Sequence, residues 1–275
     1  MKKLLILMAF VVGSQLTVKS QSLTKIWESD TTLRVPESVF FDAKNQRMFV
    51  TNIDGKGPWD MDGKGSIAML TMSGKVLNPE WVKGLHSPKG MAMYLDFLLV
   101  ADLDSILIID IARAAIIKKI GIEGAKGFND ISATKNGDIY VSDSKTKKIH
   151  LIRQLKPSLL LEGLKGPNGV LFADKTLYYV DAGGFYKLGK NKEQILIADG
   201  LEGATDGIEQ VDENTFLVSG WSGTLWHVKT NGEKKLILDT RNEGINAADI
   251  GYDKKNKIVY VPTFWKNSVV AYQLQ

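Results

Sequence analysis

The chain has 275 residues, no cysteine, a formal net charge of +4 and 44% hydrophobic residues. Disulfides, thiolate metal centres and cysteine-linked lipids are therefore excluded, and no basic stripe interleaved with aromatics is present to grip nucleic acid. A chain of this length can bury a core large enough to hold itself together without cross-links, in one or two domains.

The N-terminal stretch MKKLLILMAFVVGSQLTVKSQS has a basic start, an apolar run from Leu4 to Val12 and small residues near its end, the pattern of a secretory signal peptide. The run is about nine residues, whereas a bilayer span needs about 20. Cleavage after Ser20 is the preferred reading and after Ser14 the alternative. The expectation is a signal peptide over 1–20 and one domain over 21–275, nearly neutral once Lys2, Lys3 and Lys19 have left, periplasmic or extracellular, and monomeric. Neither a membrane nor a nucleic acid is expected as its partner.

Beyond this segment one short motif recurs: PESV at Pro36, PKGM at Pro88, FNDI at Phe128, PNGV at Pro167, TDGI at Thr205 and AADI at Ala247, with spacings of 52, 40, 39, 38 and 42. A period near 40 marks a repeat architecture. Within each repeat the apolar residues fall in four short runs that fit no helical period, as in GVLFA, TLYYVDA, GFYKL and QILIADG. Turn sequences such as KNGD, DENT and TNGE separate such runs. Four antiparallel strands repeated six times predict an all-β fold, a six-bladed β-propeller. The last repeat ends after its third strand, SVVAYQLQ, while LTKIWESDTTLRVPESV aligns with EQILIADGLEGATDGI. The strand near Leu23 to Glu28 is thus expected to complete the last blade and close the ring.

The long first spacing places an insertion over Asn52 to Gly65, between the second and third strands of the first blade. Its Asp60 and Asp62 lack the third acidic ligand and closing Glu of an EF-hand. Its GKG lacks the glycine and the Ser or Thr of a phosphate loop. A loop over the pocket with Trp59 at its tip, touching substrate, is the expectation.

The first strand of each propeller blade lines the central channel, so the second position of every motif should converge on the axis. These positions are Glu37, Lys89, Asn129, Asn168, Asp206 and Ala248. Two carboxylates and two amide carbonyls are hard oxygen donors of the kind calcium or another divalent cation takes. No His or Cys joins them, which disfavours zinc and copper. His150 and His227 are expected in blade packing and His86 in a loop. Trp221 and Trp265 are candidates for a sugar-binding wall.

Glu, then Asn-Asp, then Pro-Asn-Gly, then Asp-Gly, opening successive blades, resembles the gluconolactonase, regucalcin and senescence-marker-protein family, with paraoxonases and strictosidine synthase-like proteins as more distant relatives. The resemblance spans the mature chain, with its strong motifs at the blade starts. It implies a calcium ion bound by Glu37, Asn168 and Asp206, Asn129 at the metal or on the substrate, and Asp130 supporting them from behind. It also implies hydrolysis of a small-molecule lactone, the metal polarising the carbonyl while Asp206 acts as general base. Lys89 departs from the pattern, since paraoxonases carry a catalytic histidine at that blade position. Lys89 is expected to act in catalysis or on an anionic substrate, or to replace the metal's charge. The contrasting expectation is a non-catalytic propeller, stapled by calcium, that binds a glycan or protein.

Overall fold

The computed structural model describes residues 21–55 and 57–275, so the signal peptide expected over 1–20 lies outside the described residues. Six antiparallel sheets of four strands each follow one another around a ring. Five blades take their strands in chain order, beginning at Pro36–Asp42, Pro88–Tyr94, Phe128–Ala133, Pro167–Ala173 and Thr205–Asp212. The sixth is assembled from Gly251–Asp253, Ile258–Pro262, Val269–Leu274 and, from the other end of the chain, Leu23–Glu28.

That closing strand pairs Leu23 with Leu274 and Glu28 with Val270. Side chains add to the seam: Ser29 Oγ accepts the Val269 N–H at 3.0 Å, and Ser268 Oγ donates to Glu28 Oε1 at 2.8 Å. A velcro of this kind removes the exposed strand edge that an open array would leave.

Burial explains why the blades stack. There is no single core; six apolar clusters lie one at each junction between neighbouring blades. Between blades 1 and 6, for instance, Val39, Met48 and Leu70 meet Tyr260 and Val269. Strands with apolar residues on both faces serve two junctions at once, which is why second strands such as Phe49–Val50 and Leu98–Val100 read as continuous hydrophobic runs.

Near the axis the blades approach too closely for side chains on every strand. The third motif positions run Ser38, Gly90, Asp130, Gly169, Gly207 and Asp249. A Cβ on Gly90 would collide with Asp130 Oδ1 of the next blade, and one on Gly207 with Asp249 Oδ1. Each aspartate thus lies over the glycine of the blade before it. Gly207→Ala should cost about 1–3 kcal/mol, as overpacking usually does, and lower the melting temperature by several degrees. Calorimetry checks this; an unchanged transition would contradict the close approach.

Candidate functional site on the propeller axis

A β-bulge at the start of the inner strand aims the site residues. In blade 3, Phe128 pairs with Asp143 and Ile131 with Val141, so Asn129 and Asp130 together oppose one residue, Ser142. Pro88/Met91, Pro167/Val170 and Thr205/Ile208 show the same shift, and Pro36/Ser38 a shorter one. The extra residue leaves the ladder and its side chain turns toward the channel. Hydroxyls from the second strands take up backbone N–H groups that the bulges free. Ser38 donates to Thr51 Oγ1 at 3.0 Å, Asp130 to Ser142 Oγ at 3.0 Å and Gly207 to Ser219 Oγ at 2.8 Å.

A second device fixes the approach to each bulge. The last residue of the second strand accepts N–H groups from the segment leading into the first strand of its own blade. Asn52 Oδ1 takes Arg34 N, Asp102 takes His86 and Ser87, Asp143 takes Lys126, and Asp181 takes Lys165 and Gly166.

Glu37, Lys89, Asn129, Asn168 and Asp206 come together as expected, lining one cavity of about 440 Å³. Pro58 and Trp59 of the inserted loop, Ser144, Trp221 and Phe264 complete much of its wall. The loop is tied down by Ser87 Oγ, which donates to the Asp60 carbonyl at 2.9 Å. Two ammonium groups approach the Trp59 ring, Lys89 Nζ at 4.4 Å and Lys145 Nζ at 4.7 Å from its centroid. Ala248 is buried against Ile53 and Phe264 and supplies no donor.

Lys89 is 3% exposed and its Nζ stands 3.4 Å from Glu37 Oε1. Glu37 Oε2, Asn168 Oδ1 and Asp206 Oδ1 are buried without a hydrogen-bond partner among the described residues. Asn129 is oriented by its neighbour. Ser144 Oγ gives its one proton to the Pro167 carbonyl at 2.6 Å, so it accepts from Asn129 Nδ2 at 3.0 Å, and the Asn129 carbonyl oxygen is left for another partner.

Below this ring a second cavity, of about 260 Å³, contains Asp130, Asp249 and Glu209. Asp130 Oδ2 accepts the Val170 N–H of the next blade at 2.7 Å. Asp249 accepts from Ser38 Oγ across the blade 6 to blade 1 junction. Among the described residues the two cavities are lined by five carboxylates and one ammonium. The carboxyls respond accordingly. Burial first, and then Glu37 and Asp249, push Asp206 well above the usual carboxylate range. Burial followed by the Asp249 charge does the same to Asp130. Asp249 is raised to about 7 by burial and by Glu37, and Glu209 to about 8 by burial and by Asp249.

Several site residues were not read from the sequence. Asp249 follows the donorless Ala248, and its signal was the Asp-Ile pair shared by FNDI and AADI. Ser144, just past a second strand, and Phe264, beside the exposed Trp265, carried no pattern. Of the two tryptophans expected on a wall, Trp221 lines the cavity, while Trp265 packs edge-on against Phe264 with 51% of its surface exposed. His150 lies near the Phe128 ring, edge to face, and His227 is buried in a third strand; His86 sits in the loop before Pro88. Among the described residues no three carboxylate, imidazole or thiolate groups form a metal cluster by themselves, so a cation here would depend on the amide oxygens too.

No family model and no curated protein matches the sequence. Solved structures do. A gluconolactonase from Xanthomonas campestris superposes with a TM-score of 0.71 at 14% identity, covering 92% of this chain and 89% of that one. A virginiamycin B lyase from Staphylococcus aureus gives 0.65 at 11% identity, over 93% and 100% of the two chains. A chain of a nidogen–laminin complex gives 0.65 at 16% identity, over 79% and 84%. The fold is therefore that of the gluconolactonase-like propellers, and it is shared by a lyase and by a binding protein.

The raised carboxyls make stability depend on pH. A carboxyl with a higher pKa folded than unfolded holds its proton more tightly in the native state, so stability is greatest at low pH and falls as pH rises toward the folded value. In chelator, the melting temperature should fall between pH 5 and pH 8, through the values of Asp249 and Glu209, and Glu209→Gln should reduce the fall. A fall of equal size in the variant would contradict the assignment.

Proposed function

We propose that this propeller is a secreted hydrolase of lactones or related esters that works with a calcium ion on its axis. The observation that carries the reading is the set of three orphaned oxygens, Glu37 Oε2, Asn168 Oδ1 and Asp206 Oδ1, on one cavity wall. A buried acceptor left unpaired costs about 1–3 kcal/mol, and three sharing one cavity are a liability unless a cation meets them. Their chemistry, two carboxylates and an amide carbonyl, fits calcium. The surplus of carboxylates over ammonium groups along the channel fits it as well.

Glu37, Asn168 and Asp206 would hold the ion, with the Asn129 carbonyl directed at it or at the substrate. When bound, the ion supplies Lewis-acid polarisation of an ester carbonyl and charge stabilisation of the oxyanion. The remaining work belongs to side chains. Asp206, on the cavity wall, would take a proton from the attacking water. Glu37 stays a ligand. Trp59, Trp221 and Phe264 give the cavity apolar walls that limit water around the ester. Secretion is supported by the basic and apolar pattern of the N-terminal segment.

A second reading has one observation in its favour. Trp265 is half-exposed, outside the cavity and packed on Phe264 of its wall, as a face that docks a glycan or protein would have it. In that reading the cation only staples the blades.

A panel of sugar and acyl lactones separates the two. Hydrolysis should be abolished by chelator and restored by calcium, and Asp206→Asn should lower kcat by about 10²–10⁴-fold, the usual worth of a general base. If calcium raises the melting temperature yet no lactone turns over, the binding reading replaces the enzyme.

A further inference from the structure

Among the described residues Lys89 is the one ammonium lining the two axial cavities, and it stands where a divalent ion would least tolerate it. Its Nζ to Glu37 Oε1 distance of 3.4 Å is longer than the roughly 2.7–2.9 Å of a good charge-assisted bond. Glu37 keeps its other oxygen unpartnered. Among the described residues Glu37 is the one ion-pair partner of Lys89, so the ammonium does not satisfy Asn168 Oδ1 or Asp206 Oδ1. Lys89 is therefore a poor substitute for a cation at the centre of the ring. It is also not free to leave for solvent, being buried beneath Trp59.

We propose that Lys89 is a built-in rival of the axial cation, its ammonium competing with the divalent ion for the Glu37 carboxylate, so that the site binds calcium weakly and exchangeably. The inference rests on the reading of the ring as a cation site. A divalent ion and an ammonium both drawn to the buried Glu37 carboxylate repel strongly at low dielectric, and Asp206, the ring's second carboxylate, and the carboxylates below it relieve this only in part. Asp130 is held by the Ile131 and Val170 N–H groups and Asp249 by Ser38. The Trp59 ring is the ammonium's second resting place, 4.4 Å from Nζ, and a cation over an indole face is stabilised there. Displacement of Lys89 by an incoming ion would press it toward Trp59 and so tie occupancy of the ring to the inserted loop. A site weakened in this way belongs with the calcium modules of roughly 10⁻⁴–10⁻³ M affinity that respond to extracellular calcium.

Calcium chloride titrated calorimetrically into the chelator-stripped protein tests this without reference to activity. Lys89→Met removes the charge and keeps most of the volume, and should tighten calcium binding by about 30-fold or more. Lys89→Arg keeps the charge and should stay within about threefold of the unmodified protein. Lys89→Gln takes the place of the methionine variant if melting curves show that variant to be unfolded. Binding by Lys89→Met that is no tighter than the parent's, or equal tightening by both charge-removing and charge-keeping variants, overturns the proposal while leaving the cation site standing. If neither parent nor Lys89→Met binds calcium, the cation reading of the ring falls with it.

Discussion

Among the described residues five buried or half-buried carboxylates face one ammonium along the axis of this propeller, and much of the structure around the axis serves that imbalance. Unpaired charge is expensive in a protein interior and is tolerated only where it is neutralised, hydrogen-bonded or met by an opposite charge. All three solutions are visible. Asp130 and Asp249 are tied to backbone and hydroxyl donors of adjoining blades. Several carboxyls are shifted toward their neutral forms. Lys89 takes one oxygen of Glu37. On the cavity wall Glu37 Oε2, Asn168 Oδ1 and Asp206 Oδ1 have no hydrogen-bond partner among the described residues, and these three oxygens are the physical basis of the proposed cation.

Ring closure and site assembly are one problem. Glu37 comes from the first blade and Asp249 from the last, and they are brought together where Ser38 and Asp249 form a parallel bridge across the junction. That junction is held from outside by the strand Leu23–Glu28 pairing with Val269–Leu274. Loosening of the outer seam would therefore reach the axis. Within each blade the same logic is repeated at smaller scale, as the bulge releases a side chain, a hydroxyl takes up a freed N–H in blades 1, 3 and 5, and a terminal Asp or Asn pins the approach in blades 1 to 4.

Much of this was legible in the sequence because a propeller writes its architecture as a period. The recurrence from PESV to AADI gave the six blades, and the missing fourth strand after SVVAYQLQ pointed to Leu23 to Glu28. The second motif positions gave the ring itself, because a repeat makes equivalent residues equivalent in space. What stayed hidden lacks a period. Asp249 sits beside a residue with nothing to offer the axis, Glu209 lies further along its strand, and Ser144 and Phe264 reach the cavity from connections whose shape is particular to each blade. Trp265 shows the converse, a residue in the right place along the chain whose side chain packs on Phe264 outside the cavity. The relation of Lys89 to Trp59 likewise needed the path of an inserted loop, which no repeat encodes.

The most direct test of the account is a crystal structure of the protein grown with millimolar calcium, with anomalous scattering used to locate the metal. The account predicts a single ion on the axis, about 2.3–2.6 Å from Glu37 Oε2, Asn168 Oδ1 and Asp206 Oδ1, with Lys89 displaced toward the Trp59 ring. A Lys89 ammonium seated among those three oxygens, with no metal peak beside it, would contradict it.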